Sequence, residues 1–478
     1  MGLIRIHPSD NVAVDTATGH KQALAFISCG ADVVKYGFPI GRATADIKAG
    51  EHVHTHNMTT ALGEKLSYEY TPVAGAAEQS ITGNGVSKTT VGNNEAEMAS
   101  KPLTFLAYIR PNGDIGIRND IWIINTVGCV NKLAETLERR TGAFAFPHPY
   151  GCSQLGGDHG TTQKILRGLV RHPNAGGVLV LGLGCENNNI EEFKKVLGPV
   201  DGSRVKFLNA QSCEDEVAEG VRLIEELKAE AAKDERVPVP VSKLKVGLKC
   251  GGSDGFSGIT ANPLIGRFSD WLCAQGGSTV LTEVPEMFGA ETLLMNRCVN
   301  REVFDKTVAL INDFKEYFTK HGQVIYENPS PGNKAGGITT LEEKSLGCTQ
   351  KGGTSPVVDV LDYGDTVTKA GLNLLNGPGN DMVAVTNLTA AGCHMILFST
   401  GRGTPLGAPV PTVKVGTNRE ISERKKHWID FDASPMIDGA DLAGDFIEYC
   451  LQVAEGRETN NEQNSYREIA IFKNGVTL

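Results

Sequence analysis

Apolar residues in this chain fall mostly into short runs, and glycine-containing loops separate these runs from stretches with the period of an amphipathic helix. Residues 121–127 and 177–183 are two such apolar runs, and each is followed by a Gly-Cys pair. Alternation of strand, glycine loop and helix is typical of an α/β fold with a largely parallel sheet. Because such sheets bind ligands beyond the carboxyl ends of their strands, the pattern predicts that function resides in these loops.

The same pattern divides the chain into three parts and a linker. Residues 1–71 contain short β-rich runs, and only residues 21–28 have a helical period, so this part predicts a small β-rich module. Residues 72–100 are rich in Ala, Gly, Asn, Ser, Thr and Glu and predict a flexible linker. Residues 101–240 predict a second, α/β domain that ends at Pro238 and Pro240, and residues 241–478 predict a third domain.

Composition and charge narrow the class of protein. With 40% hydrophobic and 21% charged residues, the 478-residue chain is typical of a globular protein with large cores. Its formal charge of −10 disfavours nucleic acid or an anionic membrane as a partner. The sequence contains no apolar run of ~20 residues and no N-terminal signal pattern, so we expect a cytoplasmic protein that does not cross a membrane.

Eleven cysteines without a CxxC pair indicate free thiols, and they disfavour both a disulfide framework and a zinc finger. Several cysteines stand beside glycine in loops. We expect these loops to converge on one site in which some thiols are metal ligands. The cysteines concerned are Cys129, Cys152, Cys185, Cys250, Cys348 and Cys393.

Residues 248–258 form the loop around which the third domain is organised. Its four glycines allow a ligand to approach the backbone, and Cys250, Ser253 and Asp254 add a thiol, a hydroxyl and a carboxylate. A tight strand-to-helix turn is the alternative interpretation. The spacing Gly-x-Gly-x-x-Gly is absent after the strand, which disfavours nicotinamide or flavin binding by that route.

Three histidines alternate near the end of the first module. On a strand, His52, His54 and His56 would share one face, where imidazoles could bind a metal or act as acid and base at neutral pH. A solvated strand end is the alternative interpretation. Further along, Arg402 lies in a Gly-rich loop and its planar fork suits a carboxylate, with a surface ion pair as the alternative.

Several longer motifs resemble those of the altronate and galactarate dehydratase family. They include Lys35-Tyr36-Gly37, His54-Thr55-His56-Asn57, Tyr150-Gly151-Cys152-Ser153-Gln154, Gly184-Cys185-Glu186-Asn187-Asn188, Cys250 through Asn262 and Leu346 through Gln350. The resemblance implies an antifreeze-like β-clip module, a second domain used for dimerisation and a C-terminal Rossmann-like variant around a parallel sheet. It also implies a homodimer that depends on iron and reducing conditions.

The activity implied by the resemblance is a hydro-lyase reaction on a sugar acid in hexuronate catabolism. D-Altronate would lose its C2 proton and C3 hydroxyl to give 2-dehydro-3-deoxy-D-gluconate, and galactarate dehydration or a related acid-sugar lyase reaction is the alternative. A divalent metal would stabilise the enediolate as a Lewis acid. Fe²⁺ is the expected metal, with Mn²⁺ or an iron–sulfur cluster as alternatives.

Residue chemistry then suggests roles, which the resemblance does not settle. We expect metal ligands among Cys250, Asp254, Cys348 and Cys393. The expected catalytic residues, which supply acid, base and carboxylate binding, are His54, His56, His394 and Arg402. The expected substrate-binding residues are Ser253, Glu186, Asn187, Lys351 and Asp381.

Overall fold

The computed structural model describes residues 2–63, 67–73 and 103–478. Most of the predicted linker lies outside the described residues, so its flexibility stays a prediction. Within the described ranges, no helix is both long and apolar enough to cross a membrane.

The first module consists of two small antiparallel sheets, with strand orders β1-β2-β3-β6 and β4-β5-β7. Its strands are β1 (Leu3–Ile4), β2 (Val12–Asp15), β3 (Lys21–Ala23), β4 (Asp32–Lys35), β5 (Phe38–Ala43), β6 (His52–Val53) and β7 (Met58–Thr59). Val33, Ile40 and Ile47 are fully buried in its core. The helical period noted at residues 21–28 is wrong as a prediction, because residues 21–23 alternate between buried and half-buried and form β3.

The second domain is built on a four-stranded parallel sheet with the order β11-β10-β12-β13. A separate antiparallel sheet has the order β14-β8-β9, and Pro238 and Pro240 lie in its edge strand β14, where a missing N–H costs no ladder bond. The elements of this domain are β8 (Thr104–Ile109), β9 (Ile115–Gly116), β10 (Asp120–Asn125), α1 (Asn131–Thr141), β11 (Phe144–Phe146), α2 (Gly156–Val170), β12 (Ala175–Gly182), α3 (Ile190–Leu197), β13 (Val205–Asn209), α4 (Glu216–Ala231) and β14 (Arg236–Pro240).

The third domain contains a seven-stranded sheet whose neighbouring strands are all parallel, which confirms the parallel sheet predicted for this region. Short 3-10 helices at Val284–Met287 and Thr349–Gly352 follow β16 and α9. The other elements are β15 (Lys245–Cys250), α5 (Ala261–Ala274), β16 (Ser278–Leu281), α6 (Glu291–Met295), α7 (Arg301–Lys320), α8 (Pro331–Ala335), α9 (Leu341–Cys348), β17 (Val357–Leu361), β18 (Gly371–Leu375), α10 (Asp381–Ala390), β19 (Met395–Thr400), β20 (Thr412–Gly416), α11 (Arg419–Arg424), β21 (Phe431–Asp432), α12 (Ala443–Ala454) and α13 (Asn460–Gln463).

The strand order of this sheet, β17-β18-β16-β15-β19-β20-β21, reverses direction at its centre. After β15 the chain builds one side of the sheet, and from β19 onwards it builds the other. The carboxyl ends of β15 and β19 therefore flank a topological switch point, where open α/β sheets bind their ligands. Cys250 ends β15 and Thr400 ends β19, so the Cys250 and Arg402 loops border this crevice.

The first module packs against this edge of the sheet through two glycines of the 248–258 loop. A Cβ on Gly255 would overlap the backbone of Gly19 in the module. A Cβ on Gly258 would overlap the hydroxyl of Tyr36, also in the module. These two glycines therefore permit close approach of the module, whereas their spacing alone had suggested close approach of a ligand.

Candidate active site

Three potential metal ligands meet at the carboxyl edge of the parallel sheet in the third domain. Cys250 ends β15, Glu286 lies in the 3-10 helix after β16, and Cys348 ends α9. The Cys250 Sγ lies 3.3 Å from the Cys348 Sγ and 3.2 Å from a carboxylate oxygen of Glu286. All three residues are buried, and their ligand atoms lie within 4.8 Å of one another.

Two buried lysines contact these ligands directly. The Lys351 Nζ lies 2.9 Å from the Cys250 Sγ, and the Lys344 Nζ lies 2.8 Å from Oε1 of Glu286. Burial lowers the pKa of a lysine, but the neighbouring Cys250 and Glu286 raise the pKa of Lys351 and Lys344, respectively, above its ordinary value. Both ammonium groups are therefore charged at neutral pH.

Lys249 extends this network toward the surface. It is fully buried within the apolar strand β15, donates to the Glu283 carboxylate, and donates to Oδ1 of Asp381 at 2.8 Å. Burial lowers its pKa, but Glu283 and Asp381 raise that pKa well above its ordinary value. The Asp381 side chain is 38% exposed and so connects the network to solvent.

The first module contributes two more buried lysines. Lys21 and Lys35 place their Nζ atoms 2.8 and 2.9 Å from the two carboxylate oxygens of Glu343 in α9. Burial raises the pKa of a carboxyl group, but these lysines lower the pKa of Glu343 to about 2. Because Glu343 and Cys348 share α9, the module docks on the helix that carries a candidate ligand.

The network pairs buried lysines with carboxyl groups. Its five lysines face the carboxylates of Glu283, Glu286, Glu343 and Asp381. A hydrogen bond from the Cys348 thiol and the charges of Lys351 and Lys249 lower the pKa of Cys250 to about 6, against the effect of burial. Burial and the neighbouring Glu286 raise the pKa of Glu283 well above its ordinary value, so this carboxyl group holds its proton more readily than Glu286 or Glu343. Lysine is rarely buried without a partner, so five in one network are a strong indication of function.

Two residues of the network have strained backbones. Glu283 and Tyr36 have φ values of 70° and 61°, in the left-handed region that residues other than glycine rarely adopt. Such conformations concentrate at functional sites, because the surrounding structure has to hold them in place. Tyr36 follows Lys35 in sequence and Glu283 accepts from Lys249, so both strained residues belong to the same site.

A cavity of about 370 Å³ opens at the seam between the first module and the third domain. Thr16 and Thr18 line it from the module, and Asp254 and Arg402 line it from the edge of the sheet. This volume lies within the ordinary range for small-molecule sites. The backbone N–H of Arg402 donates to the carbonyl of Gly252 at 3.1 Å, so the cavity borders the loop that follows Cys250.

Ser253 lies beside this cavity with an unsatisfied hydroxyl. The residue is buried, and its Oγ has no hydrogen-bond partner within the part of the chain that the structure describes. Its side chain lines a small polar space of about 10 Å³ together with Tyr36, Lys344 and Cys348. A buried hydroxyl without a partner calls for a water, an ion or a ligand to complete it.

Asp254, which the sequence suggested as a metal ligand, serves the fold instead. Its carboxylate accepts from the hydroxyls of Ser257 and Thr417, each at 2.9 Å, and from the Asn418 amide at 2.7 Å. These bonds fasten the loop after β15 to the segment after β20. The structure does not bring Asp254 into the set of ligands around Cys250.

Cys393 and His394 lie at the opposite edge of the sheet. They precede β19, whose register with β15 places them near Lys245, whereas Cys250 lies at the other end of the strand. The six residues of β15 span about 16 Å from Lys245 at one end to Cys250 at the other. Burial lowers the pKa of His394 well below its ordinary value. These positions do not fit the predicted roles of metal ligand and acid–base group in the site around Cys250.

Glu186 and Asn187 belong to the second domain and order its own loops. The buried Glu186 accepts from the Thr126 hydroxyl at 2.8 Å and from two backbone N–H groups nearby. Asn187 is exposed and accepts from the backbone N–H of Ser153 at 3.0 Å. None of these contacts reaches the Cys250 set, so the predicted role in substrate binding rests on sequence alone.

The histidines of the first module lie outside the lysine network. Strand alternation in β3 and β6 turns Lys21 inward and His52 to the opposite face, where His54 stacks against it. His54 is half-buried, with its Nε2 2.9 Å from the carbonyl oxygen of Lys334, and His56 is exposed. The structure does not bring His54 or His56 into contact with the candidate ligands, and their acid–base role stays a prediction.

The sequence predicted roles for Lys351 and Asp381, as it did for Cys250 and Cys348. It predicted none for the other lysines or for the glutamates of the network. One signal was available for Lys249, because a charge within an apolar strand of a parallel sheet must be buried. Glu286 offered no comparable signal, since its direction depends on the turn after β16.

The fold and the site together define an α/β protein whose central crevice holds thiols, carboxylates and lysines arranged for a cation and an anion. Three family descriptions match the chain: the altronate/galactarate dehydratase SAF domain over residues 15–61, the D-galactarate dehydratase/altronate hydrolase second domain over residues 107–232, and the D-galactarate/altronate dehydratase C-terminal domain over residues 241–477. The chain belongs to the D-galactarate/altronate dehydratase family.

Relatives of known name agree with this family. The altronate dehydratase of Bacillus subtilis (strain 168) is 54% identical over 513 residues, which cover 100% of this chain and 99% of that protein. The altronate dehydratase of Escherichia coli (strain K12) is 51% identical over 514 residues, which cover 100% of both chains.

Two subunits of (2R)-sulfolactate sulfo-lyase match different parts of this chain. The beta subunit of (2R)-sulfolactate sulfo-lyase from Chromohalobacter salexigens is 33% identical over 387 residues, which cover 79% of this chain and 99% of that subunit. An alpha subunit of the same name from Paracoccus pantotrophus is 46% identical over 46 residues, which cover 10% of this chain and 69% of that subunit.

Proposed function

We propose that the protein is a hydro-lyase that dehydrates D-altronate to 2-dehydro-3-deoxy-D-gluconate. The observation that carries the proposal is the buried set of Cys250, Glu286 and Cys348, surrounded by lysines at the switch point of the sheet. Removal of a proton beside a carboxylate builds negative charge on the substrate oxygens, so the reaction needs fixed positive charge at that position. Full-length identities of 54% and 51% to two altronate dehydratases support altronate as the substrate.

We infer that Cys250, Glu286 and Cys348 hold Fe²⁺. Two sulfurs and a carboxylate oxygen suit this ion, whereas Mn²⁺ prefers oxygen ligands. An iron–sulfur cluster is ordinarily held by four cysteine thiolates, and only two cysteines belong to this set. The hydrogen bond between the two thiols lowers the pKa of Cys250 to about 6 and raises that of Cys348, so one of the two sulfurs already has the thiolate form that binds metal. When bound, the ion would supply Lewis-acid polarisation of the substrate oxygens.

The lysines of the chain would bind the substrate anion and the charge that develops on it. Lys344 and Lys351 stay protonated because Glu286 and Cys250 hold their pKa values high, so each can donate hydrogen bonds to carboxylate or enolate oxygens. A divalent cation would add positive charge to a site whose lysines are already charged, even though the Cys348 thiol would release its proton on binding. The occupied site would therefore attract an anion.

We propose that the substrate reaches the site through the cavity at the seam. Arg402 lines this cavity, and its guanidinium suits the carboxylate of a sugar acid. The Ser253 hydroxyl, which has no partner among the described residues, lines a small space together with Cys348 and would bind a substrate hydroxyl. Asp381 approaches from the other side of the same loop, since a Cβ on Gly251 would overlap its carboxylate region.

Substrate and metal can be tested together on purified protein that has been depleted of metal. Fe²⁺ with a thiol should restore formation of a 2-keto acid from altronate, with galactarate turned over more slowly. Glu286→Gln removes one ligand charge at nearly constant volume and should lower kcat/KM by at least about 100-fold. Cys393→Ala, at the opposite edge of the sheet, is the matched control. Full turnover without metal, or a preference for galactarate, would contradict the proposal.

We further propose a cytoplasmic homodimer that forms through the second domain. Leu106 and Ile109 of β8 are apolar but 42% and 53% exposed, and β8 pairs with the edge strand β14. Free cysteines also suit a reducing compartment. Light scattering should give twice the chain mass for the native protein and a lower mass for Ile109→Asp. A native protein that is monomeric at micromolar concentration would exclude this assembly.

A further inference from the structure

Four histidines gather on the outer face of the first module. Antiparallel pairing of β3 with β6 brings His20, which is remote in sequence, beside His52 and His54. The ring centroids of these three histidines are 5.1, 5.5 and 5.5 Å apart in pairs. The ring of His56 lies 5.5 Å from that of His52.

This group is separate from the lysine network. Lys21, the residue after His20, is fully buried against Glu343, and strand alternation turns the neighbouring histidines away from it. His20 and His54 are half-buried, whereas His52 and His56 are exposed, so an ion from solvent can reach all four rings. The histidine group therefore offers imidazole nitrogens alone, on a different face from the thiols.

The spacing of the three nearest rings matches that of imidazoles bound to one ion. Metal–nitrogen bonds of ~2.0–2.1 Å at tetrahedral angles place two ligand nitrogens about 3.3 Å apart and two ring centroids about 5.2 Å apart. Nδ1 of His20 and Nε2 of His52 are 3.1 Å apart, and the three centroid distances lie between 5.1 and 5.5 Å. Two imidazoles are thus already positioned as a pair of ligands.

His54 has the outer contact that metal-binding histidines ordinarily make. A carbonyl oxygen only accepts, so the Nε2 of His54 donates to the carbonyl of Lys334 at 2.9 Å. The lone pair of a neutral ring is then on Nδ1, which lies 3.1 Å from the Thr55 hydroxyl. Metal-bound histidines almost always donate their other N–H to a carbonyl or carboxylate in this way.

We propose that His20, His52 and His54 form a second metal site, which binds a transition-metal ion of the Zn²⁺ type through nitrogen ligands only. His56 or a water would take the fourth position. Imidazole suits Zn, Cu and Ni, whereas the Cys250 set adds sulfur and carboxylate, so the two sites differ in their ligand chemistry. A bound ion would also hold the end of β6 beside the Lys334 carbonyl of the third domain.

Zinc binding to the metal-depleted full chain tests this proposal. The native chain should bind two Zn²⁺ ions, and the double variant Cys250→Ser with Cys348→Ser should retain one. His52→Ala should lower the affinity of the histidine site for Zn²⁺. The loss should exceed the roughly 10–100-fold that removal of an outer hydrogen-bond partner of a metal ligand costs. His20→Gln is a second variant that leaves β6 unchanged. His7→Ala, which removes a histidine of the same module outside the group, is the matched control and should bind two ions.

Cobalt gives an independent measurement. In the double cysteine variant, Co²⁺ should show visible ligand-field bands without the near-ultraviolet sulfur-to-cobalt band that the Cys250 set would give. Absence of Zn²⁺ binding by the folded double cysteine variant would overturn the proposal, as would two ions in both folded histidine variants. Loss of altronate turnover in the cysteine variant concerns the proposed function alone, so failure of one proposal can be distinguished from failure of the other.

Discussion

The second and third domains both place cysteines at the carboxyl edge of a parallel sheet, yet the environments of the sulfurs differ. Cys129, Cys152 and Cys185 of the second domain are exposed. Cys250 and Cys348 of the third domain are buried among lysines and carboxylates. A hydrogen bond from the Cys348 thiol and the charges of Lys351 and Lys249 lower the pKa of Cys250 to about 6, which gives the sulfur thiolate character at neutral pH.

The comparison shows that a position at the end of a strand does not by itself make a cysteine a thiolate or a metal ligand. The charged groups around the sulfur decide its chemistry. In the second domain, the loops after the strands close over their own sheet edge, since Gly128 donates to Tyr150 and Asn188 donates to Gly151 through the backbone, each at 2.9 Å. In the third domain, a separate module closes the edge and brings two lysines with it. The charges that surround Cys250 therefore depend on contacts between modules.

The largest expected effect comes from removing the carboxylate that joins the module to the third domain. Glu343→Gln leaves Lys21 and Lys35 buried without a negative partner, which should cost about 3–5 kcal/mol of stability. Glu186→Gln is the matched change in the second domain, where hydroxyl and N–H donors replace lysines, and it should cost about 1.5 kcal/mol. Urea denaturation measures both, and equal losses would remove the distinction between the two edges.

The next largest expected effect is a difference in activity between serine substitutions at a buried cysteine of the third domain and at an exposed cysteine of the second domain. Cys348→Ser should lower altronate turnover and iron content at least about 100-fold, because it removes a ligand from the buried set. Cys185→Ser should leave both within about twofold, since its sulfur is exposed and contacts the Gln211 amide only at 3.6 Å. If Cys185→Ser were as damaging, the loops of the second domain would have to take part in the site.

The smallest expected effect lies where the second and third domains meet. The rings of His172 and His394 are 6.4 Å apart, and burial lowers the pKa of His172 from 6.5 to about 3. Between these pH values the unfolded chain binds protons that the folded chain does not, so stability falls as pH falls. The slope should be up to about 1.4 kcal/mol per pH unit for each histidine. Urea denaturation between pH 7 and 5 should show this slope in the free energy of unfolding. The variant His172→Gln should have a smaller slope. Equal slopes in the two proteins would contradict the assignment.

Local pattern was sufficient to predict the fold class and part of the site. Short apolar runs between glycine loops predicted parallel sheets, because that alternation is imposed by strands covered on both faces. Cys250 and Cys348 were identified as cysteines beside glycine, Lys351 and Asp381 were identified close to glycines, and the structure brings all four into one network.

The rest of the site depends on geometry that no local pattern encodes. Lys21 meets Glu343 across 322 residues of sequence, so only the docked fold shows that the two form a pair. Asp254 and Glu286 both follow strands in the third domain, but the left-handed turn at Glu283 directs Glu286 toward the thiols, while hydroxyl and amide donors engage Asp254. Cys393 looked equivalent to Cys348 until the register of β19 placed it at the amino end of a strand.

The docking of the first module through Lys21 and Lys35 also determines how activity depends on enzyme concentration, because the module and the third domain are parts of one covalent chain. Closure of the site is then a unimolecular equilibrium, with an effective concentration that reaches the millimolar range for short connections. The fraction of molecules with a complete set of lysines does not depend on how dilute the enzyme is. A module supplied as a separate subunit would obey mass action and would leave the site incomplete at low abundance. Covalent connection thus makes the specific activity independent of the number of copies in the cell.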